Sequence, residues 1–195
     1  MPHRWLILGA GGHGRSVADA INAQGDDVLG FLDDSRPAGE LVAGVPVIGA
    51  LSLAWEFKAL PSSEGSPAPD RCVVAIGNPA LRQRWQQVFE ASGAPFGVVV
   101  HPRACVSSSA QLAPGCVVLA GAVFNADAQL ERGVLVNSGA VVDHDALCGP
   151  CSQLGVNAAM AGEVLGCGES RCAELELTPG AADLSEGLSC AGFSR

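Results

Sequence analysis

From Val106 onward an apolar residue or a cysteine returns at every sixth position: Val106, Leu112, Val118, Phe124, Leu130, Val136, Val142, Cys148, Leu154 and Met160. Hydrophobic residues make up 48% of the chain, so ten successive matches in one register arise by chance about once in 1,500 trials. Two residues ahead of these positions runs a column of small side chains: Ala110, Cys116, Ala122, Ala128, Val134, Ala140, Ala146, Ser152 and Ala158. A third column, Gly115, Gly121, Asp127, Gly133, Gly139, Asp145 and Asn157, is rich in turn formers. Neither the 3.6-residue helix nor the two-residue strand repeats in this way. A hexad is the unit of a parallel β-helix, in which each repeat makes one short strand and one turn. The apolar residue points inward, the small one lets the corner pack, and the turn formers accept a positive φ. The period stops after Met160, because the next places in register are Gly166, Cys172 and Thr178. Residues 166–195 are therefore expected to form an irregular tail: a cap, a disordered segment, or the product of an altered reading frame.

The first hundred residues follow another plan. Short strands at Trp5–Leu8, Val28–Leu32 and Cys72–Ile76 alternate with helical patterns at Gly12–Ala23, Leu51–Leu60 and beyond Asn78. Asn78 can cap that last helix, Pro79 suits its first turn, and Leu81, Trp85, Val88 and Phe89 share a face. Val45–Ile48 reads as an edge strand, where Pro46 is tolerated. Residues 61–70 read as a loop, and Gly97–Val100 as another strand. Alternating strands and helices imply a small parallel α/β domain. The organisation expected is an α/β parallel-sheet domain at 1–100, a β-helix at 101–165 and the tail at 166–195.

Composition narrows the function classes. A net charge of −9 and a pI near 4.7 argue against nucleic acid or an anionic membrane as partner. No apolar run is long enough to span a bilayer, and the N-terminus turns glycine-rich before a signal sequence is complete, so a cytoplasmic protein is expected. Eight cysteines are present. Cys148-x-x-Cys151 with Cys167 and Cys172 is a loose imitation of a zinc site; buried free thiols are the better reading, and no metal is expected.

Gly9-Ala10-Gly11-Gly12-His13-Gly14 follows a strand and opens a helix, a context in which backbone N–H groups hold phosphate. It also satisfies G-x-G-x-x-G, with Asp33 some twenty residues on, so a nicotinamide dinucleotide is a rival ligand. Only about a hundred residues precede the hexads, which is short for two mononucleotide-binding halves. Gly77-Asn78 closes the third strand, where open α/β sheets bind ligands.

Several segments together, LILGAGGHGRSVADAI, GFLDD, VAIGNPALRQ, HPRACVSSSAQLAPG and NSGAVVDHDALCG, resemble the NeuD/PglD-type sugar acetyltransferases of the left-handed β-helix superfamily. The resemblance runs from residue 5 to about 165. It implies left-handed winding, which the period alone does not give. It also implies an α/β domain that binds a nucleotide-activated amino sugar, a homotrimer, and acetyl-CoA held between neighbouring β-helices. Gly9, Gly11, Gly12, His13, Gly14, Asp33, Asp34, Gly77 and Asn78 would then contact the sugar nucleotide. His144, two places after the inward Val142, faces outward and would be the general base, oriented by Asp145. Gly162, one coil later, would offer its N–H to the oxyanion. Asn137 would line the cleft between chains. Relatives carry a second histidine nine residues after the base, touching acetyl-CoA; here that place is Gln153. His101 reads as a domain-junction residue. The alternative is a sugar-nucleotide-binding or scaffold protein that lacks the last coils and with them the cofactor site.

Overall fold

The computed structural model describes residues 1–54 and 69–166, with the backbone of Arg171–Cys172. It opens with β1 (Arg4–Leu8), α1 (Gly12–Ala23), β2 (Asp27–Leu32), β3 (Leu41–Val42), β4 (Val45–Gly49), β5 (Arg71–Val74) and α2 (Pro79–Ser92). One sheet runs β3-β4-β2-β1-β5, parallel except for the β3–β4 pair. Trp5, Leu6, Ile7 and Leu8 in β1, which lies between β2 and β5, are all buried, as the unbroken apolar run of an inner parallel strand requires. The helix expected from Leu51 is described as a single short turn over 51–54; the rest of that helix and most of the 61–70 loop lie outside the described residues.

Three expectations change. Val45–Gly49 is not the edge, because β3 pairs outside it. Ala43 and Gly44, at φ 51° and 81°, form the tight turn between them, the backbone form that matches hairpin twist. Val99–Val100 forms β6, which joins the β-helix through Val117–Val118 (β9) instead of extending the α/β sheet. On α2, Leu81 is exposed while Arg82 and Gln86 are buried with Val88 and Phe89. A count of apolar spacing could not see this, because α2 docks its second flank on the β-helix through polar side chains.

Two-residue strands follow at six-residue intervals from Cys105–Val106 (β7) to Leu165–Gly166 (β17). Strands eighteen residues apart pair in parallel and stack into three sheets. Inward residues meet in register: Val106, Phe124, Val142 and Met160 in one sheet, Val118, Val136 and Leu154 in another. The small column is buried with them, with Ala122, Ala128, Ala140 and Ala146 wholly inaccessible. A positive φ recurs every sixth residue from Gly115 to Glu163, including Cys151 and Glu163, whose side chains gave no hint of a turn.

The coil also continues beyond Met160. Gly166 pairs with Cys148 and the backbone of Cys172 with that of Leu154, both in the eighteen-residue register. The expected stop came from asking for an inward side chain at each step. Ladder hydrogen bonds need only backbone, and Met160 fills the room at Gly166, its Cε 3.2 Å from where a Cβ would stand. Residues 173–195, and with them Cys190, lie outside the described residues.

The sheet that begins with β6 turns its outer face to the α/β half. Val99, Val117 and Leu135 share one buried cluster with Trp5, Ile7, Val17 and Ile21.

Candidate functional site

The glycine loop is held tightly by its own neighbours. Gly9, at φ +99°, has the Ala75 carbonyl 2.9 Å from any added Cβ, so the position admits glycine alone. Asp33 Oδ2 accepts the Ala10 N–H at 2.7 Å, and its Oδ1 accepts the N–H and hydroxyl of Ser35. Burial pushes this carboxyl up, but the Ser35 hydroxyl, the two N–H donors and Arg36 outweigh it and hold the group below the usual carboxylate range. Asp34 Oδ1 accepts the Leu51 N–H at 2.8 Å. Both aspartates therefore brace the loop and the strand ends. Gly11 and Gly12 remain exposed on the outer side.

His13 is half-buried, and its Nε2 is buried without a partner. Burial, and then the Arg82 charge, hold its pKa down at about 4. It meets any ligand at neutral pH as a neutral imidazole, able to share a hydrogen bond but not a positive charge. Asn78 Oδ1 accepts the Leu81 N–H at 3.0 Å, so it caps α2; Gly77 precedes it. Beside this loop, a cavity of about 420 Å³ opens between Gly12, Arg15, Ser16 and Asp19 of α1 and His101 and Ser138 of the β-helix. His101 thus stands at the junction of the two halves, its Nδ1 accepting the Arg103 N–H.

The second cluster lies on a corner between two β-helix sheets. His144 follows Val141–Val142 (β13) and precedes Leu147–Cys148 (β14). Its Nδ1 lies 3.0 Å from Asp145 Oδ2, with both side chains more than half exposed. Asp145 occupies the left-handed turn position, φ 56°, and this aims its carboxylate back along the corner. Hydrogen bonding to Asp145, then the charge of Asp143, raises the His144 pKa above the ordinary histidine value. One coil on, a Cβ at Gly162 would fall 2.7 Å from His144 Nε2 and 2.8 Å from Cε1. Glycine there leaves the imidazole its place, and Glu163 N–H bonds the His144 carbonyl to fix the spacing.

His144, Asp145 and Gly162 are thus brought together. The others are not. Asn137 lies on the preceding corner, between the Leu135–Val136 strand and β13, and donates its Nδ2 to the Leu154 carbonyl at 2.7 Å. Gln153 stands on the sheet that faces the α/β half, its Oε1 buried without a partner. The glycine loop lies on that same side, across the β-helix from the His144 corner. Among the described residues no group of three or more His, Cys, Asp or Glu could hold a metal; the side chains of Cys167 and Cys172 lie outside them.

The reading of spacing missed Arg82. This buried side chain donates Nε to the Gly133 carbonyl, Nη1 to Ile76, and Nη2 to Cys151 and Ser152. It joins the chain just after β5 to one β-helix corner in two successive coils, and its charge adds to burial at His13. Gly115 and Gly133, one per coil on that corner, leave room for the neighbouring Gln86, but no spacing in the sequence pointed to Arg82 itself.

Comparison with known proteins gives a consistent result. The family model of the PglD N-terminal domain matches residues 4–89. UDP-N-acetylbacillosamine N-acetyltransferase of Bacillus subtilis (strain 168) is 31% identical over 120 residues, 58% of this chain and 50% of that protein. The chain spans about half the length of this curated relative. PerB from Caulobacter crescentus, solved with CoA and GDP-perosamine, matches at TM-score 0.74 and 34% identity, over 83% of this chain and 72% of that one. The acetyltransferase domain of PglB from Neisseria gonorrhoeae FA1090, solved with acetyl coenzyme A, matches at TM-score 0.70 and 29% identity, over 88% of both chains. An α/β domain followed by a left-handed parallel β-helix is the architecture they share with this chain.

Proposed function

Because the chain belongs to the NeuD/PglD-type sugar acetyltransferase family, we propose that it transfers the acetyl group of acetyl-CoA to a nucleotide-activated amino sugar. The observation that carries this reading is the His144–Asp145–Gly162 corner, an exposed imidazole with one nitrogen on a carboxylate and a glycine beside the other. Asp145 accepts the Nδ1 proton and leaves the Nε2 lone pair for the acceptor. His144 takes a proton from the sugar amine as its nitrogen adds to the thioester carbonyl. The Gly162 N–H, which has no partner among the described residues, faces the developing oxyanion. The carbon–sulfur bond then breaks and CoA leaves as the thiol, taking back the proton held on His144. A sugar hydroxyl would react in the same way.

The glycine loop, with His13, Asp33 and Asp34 behind it and Gly77-Asn78 beside it, would hold the sugar nucleotide. Asn137 and Gln153 would serve the cofactor. Since loop and base occupy opposite sides of one β-helix, a sugar held by one chain reaches the base of another, which supports a homotrimer with its sites between chains. Work on an activated sugar and on acetyl-CoA, with no helix among the described residues long and apolar enough to cross a membrane, supports a cytoplasmic setting.

The test is release of CoA thiol when the chain meets acetyl-CoA with GDP-perosamine or a UDP-linked 4-amino sugar. Turnover should fall ~10²–10⁴-fold in His144→Ala with sugar-nucleotide binding retained. A folded protein that neither binds acetyl-CoA by calorimetry nor releases thiol would overturn the proposal in favour of a sugar-nucleotide-binding protein.

A further inference from the structure

The residue before the base carries an interaction that the mechanism above does not use. Asn125 and Asp143 stand eighteen residues apart, on the same corner of successive coils. Asn125 donates its Nδ2 to Asp143 Oδ1 at 2.7 Å, and the same oxygen accepts the backbone N–H of His144 at 2.8 Å. A single carboxylate oxygen therefore ties the base's own amide to the coil beneath. The tie braces a turn whose next residue, Asp145, is in the left-handed region at φ 56°, a conformation that single non-glycine residues hold at a cost.

We propose that Asp143, anchored by Asn125, is a positioning residue for acetyl transfer: its one-oxygen clamp fixes the turn that presents His144 to the reacting atoms. This rests on the reading of His144 as the base. The clamp has an electrostatic side. Donation from Asn125, and then from the His144 N–H, holds the Asp143 carboxyl below its ordinary range, so it is ionised whenever the base is active. Its charge adds to those of Asp145 and Glu163 around the imidazole. Asp145 thus aims the ring from the front, while Asp143 holds the backbone from behind.

The test is NMR titration of the four histidines in the full chain, which needs no substrate. Asp143→Asn keeps the shape and one acceptor oxygen but removes the charge, so the His144 midpoint should move to lower pH with the other three unmoved. Asp143→Ala should do the same and also speed exchange of the His144 amide proton. Asn125→Ala, which cuts the tie from the other coil but leaves the Asp143 charge, should speed exchange of the His144 amide proton with little change in the midpoint, and serves if the Asp143 variants fold poorly. In turnover, Asp143→Ala should lose ~10- to 100-fold in kcat at unchanged KM for the sugar nucleotide. Its partner Asp143→Asn should shift the acidic limb of the rate profile downward. A His144 midpoint and amide exchange rate equal to those of the native chain in all three variants would overturn the proposal. Full turnover in His144→Ala would instead sink the base assignment, while the titrations still report on the clamp.

Discussion

The absent side chain at Gly162 leaves the His144 ring its place. The glycine φ is not in the left-handed region, but the new methyl of alanine would lie 2.7 Å from His144 Nε2 and 3.1 Å from the His144 carbonyl oxygen. Gly162→Ala should therefore lower the thermal midpoint modestly while kcat falls ~100-fold, because the imidazole must swing off its carboxylate; thermal scans beside turnover separate the two effects. A turnover equal to the native value would show that the ring has another resting place. The position of His144 was legible as an outward histidine two places after the inward Val142. Its clamp was not: Asn125 and Asp143 are ordinary polar residues until the eighteen-residue stack places one above the other. Asp33 shows the opposite limit. Its place some twenty residues after the glycine loop fitted a dinucleotide fingerprint, and spacing gave no sign that its two oxygens accept from Ala10 and Ser35.

Among the elements, α2 differs most from its sequence pattern. Helical spacing of Val88 and Phe89 correctly gave the face that meets the sheet. Arg82 and Gln86 form a second buried face, and polar residues carry no hydrophobic period. Arg82 reaches four carbonyls in three directions, a geometry that neither methionine nor lysine reproduces. Arg82→Met should cost about 3 kcal/mol or more, because it strands buried acceptors on one β-helix corner in two successive coils. The check is the urea midpoint, together with faster amide exchange at that corner. The β-helix strands were the most legible elements, since each inward residue is specified by the three sheets it must fit. Even there, Gly166 escaped notice because the hydrogen-bond ladder is blind to side chains.

For the whole molecule, the junction between the halves sets the response to acid. His13 titrates near 4 in the folded protein and near its ordinary 6.5 when unfolded. Between those values the unfolded chain binds a proton that the folded chain refuses, so stability falls as pH drops from about 6.5 to about 4. The difference amounts to roughly 3 kcal/mol from this one group. Asp33 and Asp143, both held below the ordinary carboxylate range, lose their contributions only at still lower pH. Urea midpoints at pH 7 and pH 4.5 should therefore differ clearly in the native chain and far less in His13→Gln. An equal drop in both proteins would place the acid sensitivity elsewhere. The stacking register has a further consequence, for how such a gene can change in length. Gain or loss of six residues below the base would turn every later corner a third of the way round the prism, carrying His144 to a different flank. Gain or loss of eighteen would keep its flank and move it one storey, about 4.8 Å, along the axis. Length is thus quantised in this half of the protein, and only whole storeys leave the chemistry facing the way it does.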